Sequence, residues 1–175
     1  MNEIQLLSRR TAGSLAAATL ACAIATPAFA HEGDTATASS QPPPAAAILQ
    51  LEAARQAAGR FVDVDQALAE GYVDIGVFFP NMGWHYLKAD ILDATFDPET
   101  PELLVYADDP CGGPRRLVAV EYAVPFALSD KAPTGFAGRA DAWSANVAFE
   151  LWTLHAWVFE YNPDGVFAPN NPRIP

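Results

Sequence analysis

An α+β fold is the class this sequence predicts, and three observations carry the expectation. Helical spacing is confined to the stretch just after residue 45. Short apolar runs of β character follow Tyr72, and Gly- and Pro-rich breaks separate those runs. The expected architecture is two N-terminal helices packed on an antiparallel sheet of about four strands, forming a single domain over 45–175.

The segments before that domain read as export machinery. Arg9 and Arg10 close a positively charged start, residues 15–25 are Ala-rich and moderately apolar, and Ala28-Phe29-Ala30 supplies a small-x-small cleavage pattern. Residues 1–30 are therefore expected to be a signal peptide cleaved after Ala30, delivering the protein to the periplasm or the outside of the cell. Pro27 follows too soon for the segment to span a membrane, so no transmembrane segment is expected. Ser8-Arg9-Arg10 also resembles a twin-arginine signal, although Ala12-Gly13 stands where Phe-Leu is usual. Leu20-Ala21-Cys22 resembles a lipid-attachment box with Thr19 at its first position. Residues 31–44, small, polar and Pro-rich, form an expected disordered leader with nothing to bury.

From Ala45 onward Ile48, Leu51, Arg55 and Ala58 follow steps of three and four, with Glu52 able to pair with Arg55, until Gly59 ends the helix. Phe61, Val64 and Leu68 repeat the spacing in a second helix, capped by Asp63 and closed by Gly71. Strands are expected at Val73–Phe79, over 103–106 and over 116–122, the last two flanking the Gly/Pro-rich loop 108–115. A long final strand over 149–161, apolar on both faces, belongs in the interior of a sheet. Pro80-Asn81-Met82-Gly83 reads as a break, which leaves Trp84-His85-Tyr86 in a loop. Asn162-Pro163-Asp164-Gly165 is a turn, followed by a tail that wraps the surface.

With 21 acidic against 10 basic side chains the chain carries a net charge of −11, and loss of residues 1–30 makes it more acidic still. Such a surface repels nucleic acid and anionic lipid, so both are poor candidate partners and no nucleic-acid partner is expected. The sequence does not define a protein partner. Of the two cysteines, Cys22 leaves with the signal. Cys111, in a tight loop, is either a tolerated thiol or a reactive or dimer-bridging one. Neither a Gly-x-Ser-x-Gly elbow around Ser144 nor a phosphate-binding Gly-rich loop is present, so nucleophilic and nucleotide chemistry have no motif to rest on.

The three histidines are His31, His85 and His155. His155 sits mid-strand among aromatics, and Glu121 sits in the apolar run Val118-Ala119-Val120-Glu121-Tyr122-Ala123-Val124. Alone, each has a structural reading: a core histidine bonded to a carbonyl, and a carboxylate paired with Arg115, Arg116 or Lys88. Together, His85, Glu121 and His155 satisfy one another if they meet around a divalent metal such as zinc, iron or copper. His31, exposed by cleavage, offers an amine and an imidazole as a separate copper clamp. Trp84, Trp143, Trp152 and Trp157 are mostly core material, but Trp84, Tyr86 and Trp157 are candidates to line an apolar ligand pocket beside His85. The expectation is an exported small-ligand or metal-binding protein. Two alternatives are a metal-assisted or Glu/His acid–base enzyme using the same pocket, and an interaction module with an aromatic surface.

Several segments resemble a family of exported bacterial proteins with no assigned activity: Ala67-Leu68-Ala69-Glu70-Gly71-Tyr72, Met82-Gly83-Trp84-His85-Tyr86, Asp97-Pro98 with Pro101-Glu102-Leu103-Leu104, Val120-Glu121-Tyr122, Leu154-His155-Ala156-Trp157, and 162–168. They span about 61–172 and contain His85, Glu121 and His155 but not His31. The resemblance assigns no role to any residue. At Phe79-Pro80-Asn81 the chain departs from the more Cys- and Gly-containing loop that the resemblance implies, so a shared disulfide is not expected.

Overall fold

A computed structural model of the chain describes residues 44–138 and 141–175. The expected signal peptide, His31 and all of the expected leader except Pro44 lie outside the described residues. The fold is α+β: helix α1 (Ala45–Ala58), a 3-10 turn (Gly59–Val62) and the short helical segment α2 (Val64–Ala69), followed by a six-stranded antiparallel sheet. This corrects the expected two helices and four strands to one full helix with a brief helical continuation and six strands. No helix among the described residues is long and apolar enough to cross a membrane.

Helix α1 starts on Pro44, whose carbonyl accepts the Ala47 and Ile48 N–H groups at 2.9 and 3.1 Å. The face it buries is only partly the expected one: Leu51 and Ala58 lie on it, but Ile48 does not. Ala47, Ala54 and Ala58 are fully buried whereas Ile48 is half exposed, because alanines let the helix axis approach the sheet closely. Arg55 bonds the Val158 carbonyl, and Glu52 accepts from Gln56 rather than pairing with Arg55. Of the second expected helix, Val64–Ala69 forms as the six-residue α2, while Phe61 is buried in the 3-10 turn that precedes it. Asp63 caps α2 by accepting from the Asp65 N–H. Gly71, at φ +96, closes it while the Tyr72 N–H reaches back to the Ala67 carbonyl.

The strands are β1 (Val73–Phe79), β2 (Gly83–Leu87), β3 (Leu103–Ala107), β4 (Arg116–Pro125), β5 (Ser144–Asn146) and β6 (Leu151–Ala156), in spatial order β1-β2-β3-β4-β6-β5. Strand β2 was expected to be loop. The break is real only over 80–82, where Asn81 takes a left-handed conformation and Phe79 pairs with Gly83 across the hairpin. Gly83 is required: a Cβ there would lie 2.5 Å from the Tyr106 carbonyl oxygen. The final strand is shorter than 149–161. Glu150, at φ 55, delays its start, and after Ala156 the Trp157 N–H turns to the Val166 carbonyl and leaves the sheet.

The helices cover one face of the sheet, over Leu104, Tyr106, Val120, Tyr122 and Leu154. On the other face, Val105, Val118, Ala119 and Trp157 pack against Ile174 of the tail, and the Asn171 N–H bonds the Asn81 carbonyl at 2.7 Å.

Candidate metal centre

Strand alternation decides which side chains meet. On β4, Glu121 faces away from the helices, opposite Leu103 of β3 and opposite His155 of β6. On β2, His85 shares that face while Trp84 and Tyr86 take the other. In a flat sheet, three strand spacings of about 4.8 Å would hold the two histidine backbones roughly 14 Å apart. Their ring centroids are instead 6.1 Å apart and edge-on. The side chains close part of that gap, and the sheet curls, concave on this face, so that its two edge strands border one space.

The result is a closed triangle. His85 Nε2 lies 3.5 Å from Glu121 Oε2, and His155 Nε2 lies 3.5 Å from Glu121 Oε1. One ligand atom from each residue falls within 4.8 Å of both others, and all three residues are buried. Two ligands bound at about 2.1 Å to a tetrahedral zinc stand about 3.4 Å apart, so the spacing is that of a metal coordination edge.

A hydrogen bond orients the His85 ring and stacking orients the His155 ring. His85 Nδ1 faces the Val77 carbonyl at 3.3 Å, which places the proton on Nδ1 and leaves the Nε2 lone pair aimed at Glu121. The Val77 carbonyl follows a register shift in β1 between Asp74 and Val77, where Gly76 takes φ 68. The His155 ring stacks on Trp157, whose indole N–H donates to the Ala168 carbonyl at 2.6 Å. Phe79 meets the His85 ring edge-on.

Burial pushes the Glu121 carboxyl up to about 8; the neighbouring Thr153 hydroxyl opposes the shift and the Glu102 charge adds to it. The cations expected as structural partners are engaged elsewhere. Arg115 bonds Asp74 and Asp108, Arg116 bonds Glu160, and the Lys88 ammonium sits over the Tyr72 ring. An imidazole lone pair facing a carboxylate oxygen is a contact between two acceptors. A cation between them relieves it, as does a proton on the carboxyl group.

A cavity of about 240 Å³ adjoins the triangle and opens to solvent. Ile75, Val77 and Phe79 of β1 line it together with Asn146 of β5, so both edge strands of the sheet border one space. Sequence reasoning missed Thr153, Met82, Leu103 and Phe149 among the lining residues. The period-2 alternation of Leu151, Thr153 and His155 was the available signal.

The expected pocket aromatics are placed differently. Trp84 stacks under Arg115 at 3.9 Å and the Tyr86 hydroxyl bonds the same guanidinium, both on the opposite face from His85. Trp157 backs His155, and the aromatic lining comes from Phe79 and Phe149. Cys111 is exposed and free. Comparison with protein-family models, curated proteins and solved structures gave no match to this chain.

Proposed function

We propose that this chain is an exported protein that binds one divalent transition metal through His85 Nε2, His155 Nε2 and the Glu121 carboxylate, with the open side of the metal turned to a small-ligand cavity. One observation carries the reading: two imidazole nitrogens each stand 3.5 Å from a different oxygen of one buried carboxylate. Two nitrogens and one oxygen suit zinc or ferrous iron, the metals that three-ligand sites hold with positions left for water or substrate. Copper(II), which favours planar arrangements, fits less well. The net charge of −11 raises the local concentration of cations around the fold.

The cavity beside the triangle favours a ligand-accepting centre over a closed structural one, and it supports metal-assisted catalysis as a second reading. Thermal unfolding of metal-stripped protein with and without one equivalent of Zn²⁺ tests the proposal. The wild type should gain about 10 °C or more, because a ligand that binds only the folded state stabilises it by mass action. His85→Ala and His155→Ala should gain nothing. Equal gains in all three proteins would contradict the reading.

A further inference from the structure

The cavity and the triangle differ sharply in chemistry. Ile75, Val77, Phe79, Leu103, Phe149 and Leu151 make up much of the wall, and the polar lining atoms come from the triangle, Thr153 and Asn146. Among the described lining residues there is no lysine, arginine or second carboxylate. A ligand filling this space therefore has one polar end, at the triangle, and an apolar remainder. Resting on the metal reading above, the charge at that end is fixed: a dication held by one carboxylate keeps one net positive charge. A single anionic donor neutralises it in a space with low dielectric constant.

From this juxtaposition we infer that the site takes a small monocarboxylate with an apolar tail, its carboxylate on the metal and its tail along the wall between β1 and β6. At about 240 Å³ the space lies just below the usual range of ligand pockets, which limits the ligand to roughly ten heavy atoms. The mouth fits such a molecule, since Ile75 and Phe149 on its two sides are both about two-fifths exposed. Their partial exposure in the ligand-free protein leaves apolar surface for the tail to cover.

Cobalt separates this inference from the reading beneath it. The full chain is first titrated with Co²⁺ alone, and the visible d–d bands report occupancy of the triangle. Butyrate, hexanoate and octanoate are then added to the Co²⁺-loaded protein. The expected result is a change in the bands with each acid and an affinity that rises about fourfold per methylene, the factor set by burying a CH₂ group. Metal-stripped protein should bind octanoate at least tenfold more weakly. Ile75→Trp, which narrows the cavity from β1 and leaves the three ligands and the Val77 carbonyl in place, should retain Co²⁺ and lose octanoate at least tenfold. Cobalt bound with equal affinity for butyrate and octanoate, or with unchanged bands, overturns the inference and leaves the metal reading standing. Absence of cobalt binding overturns both. If Ile75→Trp does not fold, the chain-length series on the wild type decides alone.

Discussion

Glu121 and His155 are directly opposed partners on neighbouring antiparallel strands, and their side chains meet at 3.5 Å with both residues buried. A cross-strand pair on one face is fixed by register alone, so this half of the triangle needs no loop to assemble it. The other half, His85, arrives because the sheet curls. The site is thus a property of the sheet's curvature as much as of its residues.

Glu121→Gln should separate binding from folding. The amide keeps the shape of the carboxyl group but loses its charge, so Zn²⁺ affinity should fall at least a hundredfold by calorimetric titration. Stability of the metal-free protein at neutral pH should hold or rise, because burial makes Glu121 take up a proton on folding and the amide removes that cost. A metal affinity within tenfold of wild type would count against Glu121 as a ligand.

The metal-free protein should lose stability as pH rises. Burial is the main cause at both Glu121 and Glu102, and it pushes each carboxyl group up to about 8 from an ordinary value near 4.5. The folded state then holds protons that the unfolded state has released. Stability is full below the unfolded value and falls as pH climbs through the window up to about 8, by on the order of several kcal/mol in total. Urea denaturation at pH 5, 6.5 and 8 measures it. Glu102→Gln should remove part of the slope, and saturating Zn²⁺ should remove the part due to Glu121. A metal-free protein more stable at pH 8 than at pH 5 would refute the assignment.

Gly83→Ala should destabilise by about 2–4 kcal/mol, since strain at positive φ adds to a clash in the sheet. The backbone there has φ +117, and the new Cβ would meet the Tyr106 carbonyl at 2.5 Å. Because Gly83 begins the strand that carries His85, Zn²⁺ affinity should fall with stability. Denaturant midpoints within about 0.5 kcal/mol of wild type would show that the hairpin relaxes freely.

Helix α1 provides a contrast that simple periodicity would reverse. Ala54→Leu should cost about 1–3 kcal/mol by overpacking, whereas Ile48→Ser should stay within about 1 kcal/mol. Ala54 is fully buried and Ile48 is 53% exposed. Thermal denaturation of the two variants checks the order.

These contrasts mark what the sequence makes legible. The positions of β1, β3 and β4 follow from apolar runs bounded by turn residues, and Glu121 and His155 follow from polar groups placed inside such runs. The buried face of α1 is half legible: Leu51 and Ala58 lie on it as their spacing suggests, but Ala47 and Ala54 carry too little hydrophobic signal to outweigh Ile48. Strand β2 is hidden by Gly83, which reads as a breaker but serves a close approach to Tyr106. Trp84 and Tyr86 flank His85 in sequence and so invite a shared pocket, yet alternation sends them to the opposite face, where Arg115 holds them. Curvature is the least legible feature. It depends on how the whole sheet closes, and no local pattern encodes the contact of β1 and β5 with one cavity.

Anomalous diffraction from a crystal of the full chain equilibrated with Zn²⁺, recorded at the zinc edge, shows where the ion sits. One strong peak is expected inside the triangle, about 2 Å from His85 Nε2, from His155 Nε2 and from a Glu121 oxygen. Saturating zinc with no peak there, or with zinc bound only at surface carboxylates, would contradict a metal centre at these three residues.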